Sequence, residues 1–305
     1  MPELTDIQYV RNIMEKHGFH MSKSLGQNFL INPTVCPRIA EYGNAKPGFG
    51  ILEIGTGVGV LTKELAIRAD KVVAIELDQK LFPILEETLA GFENIKIIHG
   101  DVMTYDLEKL IQEEFLTKNI RNIAVCANLP YYITSPVIMR LLEENSAKHL
   151  NLSSITVMVQ KEAAQRICAP VGSRASGAVT VAVAYYGKAV KLFDVSRGSF
   201  LPSPNVDSSV MQIVVYPENS MNPESMRDQV QDERLFFRMV KTGFSQRRKQ
   251  LAGVLCNAFA IPKSETLEIF AKAKIAPSVR IEALTMAELI RLSNAFSQSQ
   301  SMHIF

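Results

Sequence analysis

From about residue 50 the chain alternates short β-branched runs with stretches whose apolar residues fall at helical spacing. Ile51-Leu52-Glu53-Ile54 leads into a glycine-rich turn and a helical segment over 60–69. Val72-Val73-Ala74-Ile75-Glu76 leads into another over 79–89. Ile95-Lys96-Ile97-Ile98, Ile123-Ala124-Val125-Cys126 and residues 154–159 continue the series. Short strands separated by helices predict βαβ units in a parallel sheet, and their near-continuous apolar character predicts cover on both faces. After Gly187 the rhythm changes. Residues 190–195 and 209–215 read as strands with no helix between them, an antiparallel pair at the end of the sheet. The polar stretch over 217–231 marks a boundary between one domain at residues 1–218 and a second at 219–305. Beyond it Leu235, Phe236, Met239 and Val240, then Leu251, Val254, Leu255 and Phe259, recur at helical spacing and predict a small all-helical domain.

Composition narrows the class without changing this picture. A chain of 305 residues with 47% hydrophobic and 21% charged residues is globular rather than disordered. A formal net charge of +2 excludes a histone-like tail protein, although residues 224–305 hold 12 Lys and Arg against 8 Asp and Glu. Cys36, Cys126, Cys168 and Cys256 are far apart, which suggests neither a zinc site nor a disulfide framework. No apolar run approaches the roughly 20 residues of a membrane span. Residues 1–16 lack the apolar core of a signal peptide, so a cytoplasmic monomer is expected, with no metal and no membrane partner.

The sharpest local signal is Glu53-Ile54-Gly55-Thr56-Gly57-Val58-Gly59, between the first strand and its helix. Glycines there let the backbone turn tightly and approach a ligand. The dinucleotide pattern G-x-G-x-x-G is not met, because Val60 stands where its last glycine belongs. Glu76 ends the second strand, where a carboxylate meets ribose hydroxyls, and Asp101 follows the third, within reach of an adenine amino group. Either acid alone also reads as a helix cap. Together, at the ends of adjacent strands, they suit a nucleoside with a positive centre, S-adenosyl-L-methionine, better than a pyrophosphate such as NAD.

After the fourth strand comes Asn128-Leu129-Pro130-Tyr131-Tyr132. An adenine amino group is a poor nucleophile because its lone pair is delocalised into the ring. The amide oxygen of Asn128 and the carbonyl of Leu129 or Pro130 can accept its two N–H bonds, localising that pair, while Tyr131 stacks on the ring. This is catalysis by positioning and polarisation. As a bare sequence the same residues read as an ordinary turn.

Four stretches together resemble the ribosomal RNA adenine dimethyltransferases. They are Ser24-Leu25-Gly26-Gln27-Asn28-Phe29-Leu30, the glycine turn with Glu76 and Asp101, Asn128-Leu129-Pro130-Tyr131, and the segment from Phe200 to Ser208, F-L-P-S-P-N-V-D-S. The resemblance implies a Rossmann-like class I methyltransferase sheet, mostly parallel with an antiparallel strand pair at its end, plus the all-helical C-terminal domain. It implies that Asn28, Leu30, Gly55, Glu76, Asp101 and Asn128 surround S-adenosyl-L-methionine, with residues 24–30 folded over its methionine end. It makes Asn128 and Pro130 the amino-group acceptors and Tyr131 and Phe200 stacking walls, Phe200 lying in a loop rather than a strand. The implied reaction is dimethylation of two adjacent adenines near the 3′ end of small-subunit ribosomal RNA, in an immature subunit. The alternatives are a resistance-type large-subunit adenine methyltransferase and an assembly factor acting mainly by binding. Asn205 stands where the family often has lysine, which bears on RNA affinity and not on methyl transfer.

Arg247, Arg248 and Lys249, near Lys241 and with Phe244 and Gln246 interleaved, are the expected RNA-binding residues. A charged helix face that merely stays solvated is the competing reading. Lys16, His17, His20 and Lys23 extend the expected basic surface, which would recognise folded RNA chiefly by shape.

Overall fold

β-Branched runs bounded by glycine, asparagine or charged residues become strands because each can bury a continuous apolar face. The structure, a computed structural model, describes residues 4–22, 25–217 and 227–299. Its strands are β1 (Phe29–Leu30), β2 (Phe49–Ile54), β3 (Lys71–Glu76), β4 (Ile95–His99), β5 (Asn122–Asn128), β6 (Leu152–Gln160), β7 (Gly187–Val195), β8 (Phe200–Leu201) and β9 (Ser208–Val215). Among the described residues one sheet has seven strands in the order β4-β3-β2-β5-β6-β9-β7. β2 is parallel to β3 and β5, β3 to β4, and β5 to β6. β9 runs antiparallel to β6, with Gln160 opposite Ser208. The mostly parallel sheet with late antiparallel pairing is therefore the one the pattern predicts.

Ile51, Leu52, Val72, Val73, Ala124 and Val125 in the central strands are fully buried. Helices Val35–Tyr42 and Val60–Ala66 add Ile39, Leu61 and Leu65 to the same apolar cluster as Ile51, Val72 and Ala124. An N-terminal helix, Ile7–Lys16, capped by the Asp6 carboxylate and burying Val10, Ile13 and Met14, has no counterpart in the sequence reading. Among the described residues no helix is long and apolar enough to cross a membrane.

The chain separates into two compact units. One comprises Met1–Ala164 and Ala189–Glu218, the other Gln165–Lys188 and Asn219–Phe305. The expected boundary at 218/219 lies outside the described residues, and so do Lys23 and Ser24. The sequence pattern places 165–188 with the first domain; the structure groups that segment with the second unit. The cause is side-chain packing. On helix Ala178–Tyr186, Tyr185 stacks on Phe236 with ring centroids 5.5 Å apart, and Tyr186 on Phe237 at 5.4 Å. Both tyrosine hydroxyls donate to the Glu233 carboxylate, at 2.9 and 2.7 Å. The second unit is otherwise helical, with Glu233–Ser245, Leu251–Phe259, Lys263–Lys272 and Met286–Ser297, as the apolar spacing implies.

Candidate active site at the carboxyl edge of the sheet

The carboxyl ends of β2, β3 and β5 open on one pocket within the first unit, with about 1140 Å³ of empty space including its mouth. Asn28, Leu30, Gly55, Glu76, Asp101, Asn128, Pro130, Tyr131 and Phe200 all line it. Residues spread over more than 170 positions of the chain thus meet in one place.

The turn after β2 is left-handed at Gly55 (φ +76°) and Gly57 (φ +53°). In front of Gly55 nothing lies within 4 Å of where a Cβ would stand, so the backbone presents an open cradle to a ligand. At Gly57 a Cβ would come within 3.0 Å of the Phe29 ring, so a side chain there meets both strain and crowding. Glu76, at the end of β3, is buried and holds this turn: its Oε2 accepts from the Thr56 N–H (2.8 Å) and the Thr56 hydroxyl (3.0 Å). Its Oε1 accepts from the Asp78 N–H at 2.8 Å, and Asp78 in turn accepts from the Gln27 side-chain amide at 2.8 Å. The turn, the β3 end and the N-terminal segment are therefore one hydrogen-bonded chain. The sequence assigns Thr56, Asp78 and Gln27 no role; their position inside or two residues beyond the motifs is the only signal for them. Asp101 is exposed at the pocket edge, its Oδ1 accepting from the Met103 N–H at 2.8 Å.

Asn128 is the last residue of β5. Its Nδ2 points to the Asn28 carbonyl at 3.4 Å, which leaves Oδ1 as an acceptor, and the Leu129 N–H is tied to the Met158 carbonyl at 3.3 Å. The Pro130 carbonyl already accepts the Ile133 N–H at 3.2 Å. Tyr131 is half-buried, and its hydroxyl forms a 2.8 Å bond with the Ser208 hydroxyl, so two of the sequence motifs are joined through one tyrosine. Burial pushes that phenol's pKa up.

Phe200 departs from the loop position that the sequence predicts. It is not in a loop: it sits in β8, paired antiparallel with β1 so that Leu30 faces Phe200 and Phe29 faces Leu201. It is only 4% exposed and belongs to the apolar cluster while also lining the pocket. The Ile31 N–H and the Ser199 carbonyl extend the pairing at 2.9 Å. β8 is what anchors the N-terminal segment beside the glycine turn.

The electrostatics are one-sided. Among the described residues the pocket lining carries Glu76 and Asp101 and no Lys, Arg or His. Behind it Glu53 is fully buried in the middle of the sheet, and neither carboxyl oxygen has a hydrogen-bond partner among the described residues. Burial pushes its pKa up to about 8; the nearby Thr62 hydroxyl works against that rise and the Glu76 charge adds to it. Burial likewise raises the Cys36 and Cys126 thiols. Among the described residues no cluster of His, Cys, Asp and Glu is suited to a metal ion.

In the second unit, Arg247, Arg248 and Lys249 follow helix Glu233–Ser245 in a turn, not on a helix face. Arg248 and Lys249 are exposed. Arg247 is partly committed: its Nη2 donates to the Arg174 carbonyl at 2.6 Å, with Glu282 4.0 Å from its Nε. In the first unit Lys16 and His17 both reach Glu87, at 2.7 and 2.9 Å, so that acid offsets the basic surface expected there.

Known proteins resemble this chain over most of its length. The family model described as ribosomal RNA adenine dimethylase matches residues 18–298. Proteins called ribosomal RNA small subunit methyltransferase A are similar over most of the chain. The one from Geobacillus sp. (strain WCH70) is 42% identical over 93% of this chain and 94% of its own. That from Bacillus cytotoxicus is 41% identical over 97% and 98%. Among solved structures, a dimethyladenosine transferase from Plasmodium falciparum shares the fold, with a TM-score of 0.66 and 23% identity over 88% of this chain and 98% of that one. The 23S rRNA methyltransferase ErmE aligns with a TM-score of 0.60 and 25% identity over 89% and 100%. With the matched span running through both units and relatives about 40% identical over nearly the whole chain, the chain belongs to the ribosomal RNA adenine dimethylase family.

Proposed function

We propose that this enzyme transfers methyl groups from S-adenosyl-L-methionine to the N6 amino groups of two adjacent adenines near the 3′ end of small-subunit ribosomal RNA, in an immature subunit. The observation that carries the reading is the pocket: an open glycine cradle, two carboxylates and, among the described residues, no lining cation, next to the Asn128 acceptor. A pyrophosphate cofactor would be repelled there, whereas a sulfonium nucleoside is matched. The relatives named for the small subunit are about 40% identical, against 25% for the 23S enzyme, which favours the small subunit as substrate.

When bound, the cofactor supplies an electrophilic methyl group. The chain's own residues do the rest. A carboxylate offers about four acceptor sites, and Glu76 uses three on Thr56 and Asp78, leaving about one for a ribose hydroxyl. Asp101 accepts from the cofactor's adenine. Asn128 Oδ1 accepts one N–H of the target amino group. Pro130 spends one lone pair on Ile133, so the Leu129 carbonyl is the better second acceptor. Tyr131, fixed by Ser208, and Phe200, fixed in β8, bound the space for the flipped base, offsetting part of its unstacking cost.

The direct test is labelled cofactor with undermethylated small subunits, large subunits and free RNAs. Label should enter the two adjacent adenines of the small subunit; label in large-subunit RNA instead would sink the substrate assignment. For the cofactor site, Glu76→Ala is expected to weaken S-adenosyl-L-methionine binding by about 1–3 kcal/mol in calorimetry. Because the same carboxylate holds Thr56, Glu76→Gln should lose less; unchanged affinity in the alanine variant would remove Glu76 from the site. For RNA, Arg248→Ala with Lys249→Ala should flatten the slope of log affinity against log salt by roughly two units at most. Adding Arg247→Ala should flatten it by less than one further unit, since that side chain is held by the Arg174 carbonyl. A wild-type slope in the double variant would mean that these side chains stay solvated in the complex.

A further inference from the structure

The loop after β5 carries two consecutive tyrosines in opposite situations. Tyr131 is half-buried with its hydroxyl bonded to Ser208. Tyr132 lines the same pocket, yet it is 59% exposed. Its ring edge rests against the turn at Gly26: a Cβ built there would stand 3.5 Å from Tyr132 Cε1 and 3.5 Å from Pro130 Cβ. The ring therefore stands at the mouth, between the N-terminal segment and the Asn128 loop. An aromatic ring left in water beside a substrate pocket presents a π surface that a planar ligand can cover.

We infer that Tyr132 is the stacking platform for the nucleotide next to the adenine held at Asn128. The inference rests on the adenine chemistry proposed above. When one adenine of an adjacent pair leaves the stack, its neighbour loses a stacking face, and an exposed ring at the pocket mouth supplies a replacement. Glu76, Asp101 and Asn128 cannot serve, because none of them presents an aromatic face. The contact holds the second adenine close while the first reacts, and so favours completion of both.

The test compares wild type, Tyr132→Ala and Tyr132→Phe on undermethylated small subunits. Transfer is followed with labelled cofactor, and primer extension scores each adenine, since N6,N6-dimethylation blocks base pairing. Tyr132→Ala should raise KM for subunits roughly tenfold or more while kcat changes little, because stacking on the ring is lost. It should also enlarge the share of subunits with only one of the two adenines finished. Tyr132→Phe should behave as wild type, since the ring and not the hydroxyl does the stacking. Calorimetry should give all three the same S-adenosyl-L-methionine affinity. Wild-type KM and full completion in Tyr132→Ala would overturn the inference, as would a phenylalanine variant as impaired as alanine or a lost cofactor affinity. Wild-type protein that leaves small subunits unmodified would instead overturn the proposed function, and this inference with it.

Discussion

Asn128→Ala is expected to lower the rate of methyl transfer at saturating substrate by roughly 10²- to 10³-fold, the scale of removing one preorganised hydrogen-bonding group from a reacting centre. The side chain ends β5 at the pocket, and its amide nitrogen is directed to the Asn28 carbonyl, so the oxygen that remains is already oriented before a base arrives. Preorganisation of this kind lowers the barrier because no reorganisation is needed as the amino group becomes nucleophilic. Binding of small subunits should survive, since the exposed cations of the second unit are untouched. Cofactor affinity should fall only modestly. Single-turnover transfer with labelled cofactor, alongside filter binding of subunits, separates the two effects. A near-normal transfer rate would show that polarisation by Asn128 is not how the amino group is activated.

The second large effect lies behind the pocket. Glu53→Gln should stabilise the protein increasingly as the pH rises from about 4.5 to about 8. Burial holds the Glu53 carboxyl neutral to about 8, against an ordinary value of 4.5. Below 4.5 the group is protonated in both folded and unfolded chains and contributes no pH dependence. Between the two values the unfolded chain has released a proton that the folded chain retains, so wild-type stability declines by about 1.4 kcal/mol per pH unit. Glutamine keeps the shape and neutrality and removes that decline. Urea unfolding should place the two proteins within about 1 kcal/mol of each other at pH 4.5 and up to roughly 4 kcal/mol apart at pH 8. Other titrating groups are common to both proteins and cancel in the difference. A gap that does not change with pH would mean that Glu53 is ionised in the folded state.

Glu53 also illustrates how far sequence alone reaches. An acid inside Ile51-Leu52-Glu53-Ile54 is visible as the start of the glycine motif, but its charge state is not. That follows from its complete burial in the fold, the Glu76 charge nearby and the absence of any partner for its oxygens among the described residues. Arg247 is similar. As sequence it is one of three equivalent cations; in the fold it donates to a carbonyl 73 positions away, while Arg248 and Lys249 are exposed.

Features that depend on short stretches of backbone are readable from the amino-acid order: strands where β-branched runs occur, the glycine turn after β2, carboxylates at the ends of β3 and β4, the acceptor loop after β5, and helices beyond residue 227. These are local preferences of φ, ψ and apolar spacing, legible over a few residues. The pairings across long separations become visible once the chain is folded. β1 joins β8 across some 170 residues and turns a supposed loop phenylalanine into a strand wall. Tyr131 locks to Ser208, Glu76 reaches Gln27 through Asp78, and Gln165–Lys188 leaves its sequence neighbours for the second unit. Such contacts are chosen by which buried faces and polar groups satisfy one another in the whole fold, and no window of sequence contains both partners.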